Sequence, residues 1–117
     1  MLNVKEIGVL LQIIKRCNRI SSKMKNINYE DLCLNEDLKE IVCFNIFQIG
    51  ELVSKLSEAF TEKNNKIIWS RIKGMRNRIV HGYSSINFEV VWDTINISIP
   101  ELENYCHEIL EKEKINI

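Results

Sequence analysis

The chain contains one long apolar stretch, IVCFNIFQIGELV at residues 41–53, in which Glu51 is the only charged residue. Apolar side chains spaced by three and four residues predict a helix from Asn35 to Ala59. A helix that is apolar on nearly all sides is buried on more than one side. In a chain of 117 residues we expect part of that cover to come from a second subunit, so this helix is predicted to take part in a homodimer. Its main stripe would be Leu38, Val42, Asn45, Ile49, Leu52 and Leu56.

Helical patterns flank this stretch on both sides. Towards the N-terminus, the spacing predicts a helix from Asn3 to Lys25 and then a short turn at Asn28. The stripe of that first helix would be Val4, Ile7, Leu11, Ile14 and Asn18. Towards the C-terminus, a polar loop at Thr61–Ile67 leads to a helix at Ile68–Val80. The core stripe of this helix would be Ile68, Ile72, Met75 and Ile79.

The last third of the chain predicts a helix that Asn87 caps and that begins at Phe88. Ser98 and Glu101 match a capping box with Pro100 in the first turn, which predicts a kink or restart there. Residues 94–99 alternate like a strand, but no second strand is available to pair with them. With only four Gly and one Pro, residues 1–117 are predicted to form a single domain, an all-α antiparallel bundle of four to five helices.

Composition narrows the class of protein further. The N-terminus lacks the features of a secretory signal, and no apolar run approaches the ~18 residues of a membrane-spanning helix. The four cysteines, Cys17, Cys33, Cys43 and Cys106, show no metal-ligand spacing. We therefore expect a cytoplasmic protein with free, mostly buried thiols and with no metal or cofactor.

Basic residues are concentrated in one segment, although the net charge is zero. Residues 63–88 contain six Lys or Arg and no Asp or Glu, whereas residues 89–117 contain seven acidic residues and two basic ones. The basic segment can bind a phosphate-bearing partner. It can equally form a solvated helix face that meets the acidic C-terminal helix of the same chain, and charge alone leaves both interpretations open.

Polar residues share one face of the helix that is predicted to begin at residue 68. At 100° per residue, Asn77 and His81 lie one turn apart opposite the apolar stripe, where their side chains can form a hydrogen bond. Arg78 and Gly74 lie near them; glycine costs roughly 1 kcal/mol relative to Ala in a helix but lets a backbone or substrate approach closely. Arg76 points about 140° away from His81. The arginine must therefore reach across, the helix must end here, or a second subunit must complete the site.

The chemistry of these residues suits the cleavage of RNA without a metal ion. A histidine can move the proton of a 2′-hydroxyl nucleophile, and an arginine can hold a phosphate and stabilise charge that develops on it. Asn77 can orient either the imidazole or a phosphate oxygen. The alternative is structural: His81 favours the helix dipole at a C-terminus, and Arg76 forms a surface ion pair.

Two polar residues interrupt the apolar stretch. Asn45 lies within the apolar stripe and is predicted to be a buried amide that fixes helix register, with a role in the chemistry as the alternative. Glu51 is predicted to pair with a basic residue of the helix at 68–80, with a catalytic role as the alternative.

Residues 69–83, WSRIKGMRNRIVHGY, resemble the signature of the HepT-like branch of the HEPN superfamily, W-x-x-I-x-G-M-R-N-x-x-x-H-x-Y. The resemblance extends to residues 45–51 and 86–102, and so covers nearly the whole chain. The chain departs from the family pattern at Phe44, where Arg is common, at Gly82, where an acidic residue is common, and at Asn87, where Asp is common.

This resemblance implies a helical bundle that dimerises and carries an R-x4-H-x-Y motif near its dimer interface. It implies the toxin of a type VII-like toxin–antitoxin pair, an endoribonuclease in which Arg76 and His81 cleave RNA and Asn77 supports them, with tRNA and mRNA both open as substrates. The partner would be a minimal nucleotidyltransferase that attaches AMP to Tyr83. The alternative is a non-catalytic helical module that binds the nucleotidyltransferase or a nucleotide.

Overall fold

The computed structural model describes residues 1–80 and 86–114, which form seven α-helices and one π-helical turn. The α-helices are α1 (Val4–Lys23), α2 (Tyr29–Leu34), α3 (Glu36–Val53), α4 (Glu58–Lys63), α5 (Trp69–Val80), α6 (Phe88–Asp93) and α7 (Ile99–Lys112), and the π-helical turn spans Thr94–Ser98. None of these helices is long and apolar enough to cross a membrane. No strand occurs in residues 1–80 or 86–114, which confirms the predicted all-α fold.

The long apolar helix α3 lies at the centre of the bundle. It packs against α1 and against α5, and α1 packs in turn against α7. Leu2, just before α1, donates its backbone N–H to Oε1 of Glu113, just after α7 (2.9 Å), so these two helices run antiparallel. The apolar stripe predicted for the central helix is confirmed, because its members are buried or half-buried, although the last of them, Leu56, lies beyond the end of α3. The fully buried residues of α3 are Leu38, Val42, Cys43, Asn45, Ile46, Ile49, Gly50 and Val53.

The apolar stripe that was predicted for α1 is wrong at three of its five members, Val4, Leu11 and Asn18, which are exposed. Val4 is 87% exposed and Leu11 is 38% exposed. Because α1 contacts both α3 and α7, it buries a broader face than a single stripe, and Ile14 is the one member of the predicted stripe that is fully buried. The buried residues of α1 are Val9, Leu10, Ile13, Ile14, Cys17 and Ile20.

α3 ends at Val53, before the predicted end at Ala59. Ser57 then caps a separate helix, α4, by accepting a hydrogen bond from the backbone N–H of Phe60 (3.0 Å), so part of the predicted loop is helical. The predicted boundary is wrong because apolar spacing continues to the buried Leu56, although the backbone turns between the two helices.

The core stripe predicted for α5 is wrong at Ile68, which is 53% exposed. The next residue, Trp69, is buried instead, and its Nε1–H donates to the Asn64 carbonyl (2.6 Å). Its ring also lies 6.0 Å from the ring of Tyr105 on α7, so Trp69 anchors the start of α5. The rest of the stripe packs on the core as predicted: Ile72, Met75 and Ile79.

The last helix begins where it was predicted but does not restart at Ser98. Asn87 caps α6 by accepting a hydrogen bond from the backbone N–H of Glu89 (2.9 Å). Ser98 has helical backbone angles and forms no capping hydrogen bond, so the capping box that was predicted with Glu101 is wrong.

α6 and α7 are joined by the π-helical turn rather than by a break. There the N–H of Ile99 donates to the carbonyl of Thr94, five residues earlier instead of four. Pro100 follows, and because it has no N–H it cannot bond the carbonyl four residues before it. The π-helical turn accommodates this irregularity, and the helix continues from residue 88 to residue 112.

The cysteines are free thiols, and three of the four are buried, as predicted. Burial raises the pKa of Cys43 to about 11 and that of Cys106 to about 12, and it also raises the pKa of Cys17. These groups therefore stay protonated at neutral pH, where only a thiolate would be reactive. Cys33 is half-buried.

Candidate active site at the crossing of α3 and α5

Gly50 allows α3 and α5 to cross at very short range. A Cβ atom built on Gly50 would overlap the Cβ of Arg76, and it would lie 3.0 Å from the Cγ and 3.3 Å from the Cδ of that side chain. Only glycine fits such a contact without a shift of one of the helices. The stem of Arg76 is therefore pressed against the backbone of α3, which fixes the direction of its guanidinium group.

The guanidinium group of Arg76 forms an ion pair with Glu51, the residue after Gly50. Nη1 of Arg76 donates a hydrogen bond to Oε1 of Glu51. This contact confirms the prediction that Glu51 pairs with a basic residue of this helix. The Arg76 side chain is 30% exposed and the Glu51 side chain 40%, so the pair adds little to stability and serves mainly to orient the arginine.

Asn77 holds the other edge of the same guanidinium group. Its Oδ1 accepts hydrogen bonds from Nε (3.2 Å) and from Nη2 (2.8 Å) of Arg76. The predicted partner of Asn77, His81, lies outside the described residues, so that pairing stays a prediction. We call Arg76, Glu51 and Asn77 the arginine cluster.

The arginine cluster leaves part of the guanidinium group able to bind an anion. Of the five N–H donors of an arginine, one is used by Glu51 and two by Asn77, which leaves one N–H on each terminal nitrogen. Two N–H groups of one fork match two oxygens of a phosphate. A carboxylate and an amide thus hold a phosphate-binding group in a fixed orientation, as is needed to stabilise charge in a transition state.

Asn45 is a buried amide, as predicted, and it connects α3 to α1. Its side chain is 2% exposed; Nδ2 donates to the Ile41 carbonyl (2.8 Å), and Oδ1 accepts a hydrogen bond from Nη1 of Arg16 (3.3 Å). The guanidinium carbon of Arg16 also lies 5.6 Å from the centre of the Phe44 ring, a cation–π distance. α1 therefore places a guanidinium group beside Phe44. Sequence reasoning missed Arg16, because nothing in its spacing distinguishes it from the other charged residues of α1.

Gly74 and Arg78 are not part of the arginine cluster. A Cβ atom built on Gly74 would meet nothing within 4 Å, so the close approach that was predicted there does not come from the described residues. Arg78 is exposed and lines a groove on another side of α5. The glycine that does mediate a close approach, Gly50, was missed, although a glycine inside a long apolar helix is itself a signal of close packing.

Two predicted site residues, His81 and Tyr83, lie outside the described residues, as does Gly82 between them. Their roles therefore stay predictions. Of the predicted site residues, the described structure joins Arg76, Asn77 and Glu51 in one cluster.

The fold and the arginine cluster together define a class of protein: an all-helical bundle with an Arg-Asn pair held by a carboxylate of the neighbouring helix. Comparison with known families is more specific. The family model described as "Ribonuclease HepT-like" matches residues 11–109, and the chain belongs to this family.

Several proteins are similar to this chain over most of its length. A protein of Caldanaerobacter subterraneus subsp. tengcongensis named "Putative RNase" is 37% identical over 105 residues, covering 90% of this chain and 94% of its own. A "Putative RNase" of Methanocaldococcus jannaschii is 29% identical over 102 residues, covering 87% and 84%. The "Probable ribonuclease HepT" of Thermococcus cleftensis is 24% identical over 94 residues, covering 80% and 86%. No solved structure matches the chain.

Replacing the two glycines by alanine should have opposite effects on stability. Gly50→Ala places a methyl group in the space of Arg76 and should lower the free energy of unfolding by about 1–3 kcal/mol. Gly74→Ala meets open space and should raise it by up to about 1 kcal/mol, because Ala favours a helix over Gly. Urea unfolding followed by circular dichroism measures both changes. The close crossing would be refuted by a Gly50→Ala variant that is as stable as Gly74→Ala.

Proposed function

We propose that the protein is a metal-independent endoribonuclease and the toxin of a type VII-like toxin–antitoxin pair. The observation that carries this proposal is the arginine cluster, a phosphate-binding group that Glu51 and Asn77 hold at the edge of the bundle. Membership of the ribonuclease HepT-like family and the RNase names of the relatives support RNA as the source of that phosphate.

In the proposed reaction, the 2′-hydroxyl of the RNA attacks the adjacent phosphorus. His81 removes the hydroxyl proton, the bond from the 2′-oxygen to phosphorus forms, and the bond from phosphorus to the 5′-oxygen breaks. The 5′-oxygen takes the proton back from His81, so the products are a 2′,3′-cyclic phosphate and a 5′-hydroxyl. Arg76 binds the non-bridging oxygens, on which negative charge increases, while Asn77 and Glu51 hold it in place.

Cleavage of RNA in the presence of a chelator tests the catalytic roles. The unmodified protein should cleave an end-labelled RNA in EDTA. His81→Ala should lower the rate by about 10²–10⁴-fold because it removes the proton carrier, and Arg76→Ala by about 10²–10³-fold because it removes the charge stabilisation. Lys5→Ala, which removes an exposed charge from α1 outside the basic segment at 63–88, is the control and should retain activity.

Two results would change this assignment. A His81→Ala variant that keeps its helicity and cleaves at the unmodified rate would remove His81 from the mechanism. Absence of cleavage by the unmodified protein, together with binding to a nucleotidyltransferase that survives Arg76→Ala and His81→Ala, would identify a non-catalytic helical module. The observation that favours this second function is that Glu51 and Asn77 already occupy three of the five donors of Arg76.

We also propose that the protein acts as a homodimer in which α3 takes part. The face of α3 that the bundle leaves uncovered carries Phe44, which is 53% exposed, and the half-buried Ile41 and Phe47. Large apolar side chains gathered on one surface are typical of a subunit interface. A dimer also offers a way for the motif histidine of one subunit to meet the arginine cluster of the other.

Sedimentation tests the dimer with a matched pair of variants. The unmodified protein should sediment as a dimer, Phe44→Asp should sediment as a monomer, and Leu34→Asp, at a position on α2 that is 79% exposed, should remain a dimer. Co-refolded Arg76→Ala and His81→Ala chains should recover up to about a quarter of the unmodified activity, because half of the dimers would be mixed and each would hold one intact shared site. An unmodified monomer refutes the dimer, and no recovery in mixed dimers refutes the shared site.

Tyr83 is the proposed site of control by the partner nucleotidyltransferase. Its phenolic oxygen would attack the α-phosphorus of ATP and lose its proton to solvent, pyrophosphate would leave, and AMP would remain on the tyrosine. Incubation with the nucleotidyltransferase and ATP should add one AMP per chain, by mass spectrometry, and should abolish RNA cleavage. Tyr83→Phe should block the modification, whereas Tyr29→Phe, at a tyrosine of α2 that is 36% exposed, should not. Unchanged AMP transfer to Tyr83→Phe would exclude this site.

A further inference from the structure

A groove runs along the side of α5 that does not hold the arginine cluster. It separates α5 from α6 and the π-helical turn, and it consists of two adjoining hollows of about 390 and 340 Å³ that share Met75 and Arg78. These volumes are in the range of sites that bind small organic groups. Asn87 and Ser98 contribute polar groups to the lining, but most of the wall is apolar and is formed by Ile72, Met75, Ile79, Ile86, Val90 and Val91.

Two guanidinium groups stand along this groove. Arg71 and Arg78 are both exposed, and they lie seven residues apart on one face of α5, a separation of about 10 Å along the helix. Neither forms an ion pair with a carboxylate of the described residues. Glu101 lines a small hollow beyond Arg71, so an anion is favoured between the two arginines and disfavoured past that end. The charge of the groove is therefore complementary to a chain of phosphates.

Gly74 lies between these arginines and lines the same groove. A Cβ atom there would meet no atom of the described residues within 4 Å, so their packing does not explain the glycine. Glycine lowers helix stability relative to alanine. Its effect at this position is to keep the groove open between Arg71 and Arg78.

We propose that this groove binds a single-stranded segment of the RNA substrate, with phosphates on Arg71 and Arg78 and an unpaired base against the apolar wall. This inference rests on the proposed ribonuclease function, because it takes RNA as the ligand. The bound RNA must be single-stranded, because only unpaired bases can leave the base stack and contact the apolar wall of the groove. A helix with its side chains is about 10–12 Å across, so a strand in the groove lies one helix width from the arginine cluster on the other side of α5.

Binding is measured by fluorescence anisotropy with a labelled 2′-O-methyl RNA of about 12 nucleotides, a length in the range of one single-strand binding site. This probe lacks the 2′-hydroxyl nucleophile, so binding is separated from cleavage. The double variant Arg71→Gln/Arg78→Gln should weaken binding by about tenfold or more. It should also reduce the steepness with which the logarithm of the binding constant falls with the logarithm of the salt concentration by about 1.4, which is about 0.7 for each lost phosphate contact. Lys5→Gln/Lys23→Gln removes two exposed charges from α1, which does not line the groove, and should change neither value as strongly.

A second pair of variants tests whether binding requires the open space of the groove, in addition to its positive charge. Gly74→Leu fills the groove with a residue that favours a helix, and it should weaken binding of the single strand by about tenfold or more. Ser21→Leu adds the same bulk to an exposed position of α1, which does not line the groove, and should leave binding unchanged. Circular dichroism should show that both variants keep their helicity.

Unmodified affinity in the double arginine variant, or an equal loss in the lysine control, would overturn the proposal. So would unmodified affinity in Gly74→Leu, or tighter binding of the matched RNA duplex than of the single strand. A Gly74→Leu variant that changes the sedimentation of the protein would show the groove to be a subunit interface, and would also overturn it. Groove-dependent binding without any RNA cleavage would refute the proposed ribonuclease and leave the groove in place. RNA cleavage at an unchanged rate in the groove variants would refute RNA binding in the groove and leave the proposed ribonuclease in place.

Discussion

Where α3 crosses α5, the stem of Arg76 takes the space that a side chain on residue 50 would fill. A guanidinium group on a free surface samples many orientations, but here the stem is held by backbone and the head by Glu51 and Asn77. This constraint also fixes the rotation of α5 about its axis. The polar contacts of Arg76 then face one side of α5, and Arg71, Gly74 and Arg78 face another.

The parts of the fold that follow from local signals could be predicted from the sequence. Asn28 and Asn87 cap helices because their side chains accept backbone N–H groups close in the chain. The buried side of α3 follows from its periodic apolar residues. The pairing of Glu51 with α5 could also be predicted, because one charge in a buried helix requires a partner and the basic residues are concentrated in one segment.

The parts that depend on how helices meet could not be predicted in the same way. The role of Gly50 depends on the angle and distance between two helices, and the position of Arg16 depends on how α1 lies against Asn45. α1 has apolar residues on more than one side, so only its contacts with α3 and α7 decide which are buried. Ser98 and Glu101 match a capping pattern, but Ser98 lies inside a continuous helix and cannot act as a cap.

The π-helical turn between α6 and α7 adds one residue to a helix without breaking it. One residue corresponds to about 100° of rotation, so the turn sets the angle between the side of α6 that faces α2 and the side of α7 that faces α1. Loss of a single residue from 94–98 would return this turn to the α-helical repeat, except for the hydrogen bond that Pro100 cannot donate, and leave the helical content almost unchanged. It would nevertheless turn Leu102, Cys106 and Ile109 away from the core that now buries them. The number of residues in this short segment therefore matters to the fold in addition to the burial of Thr94 and Ile95 within it.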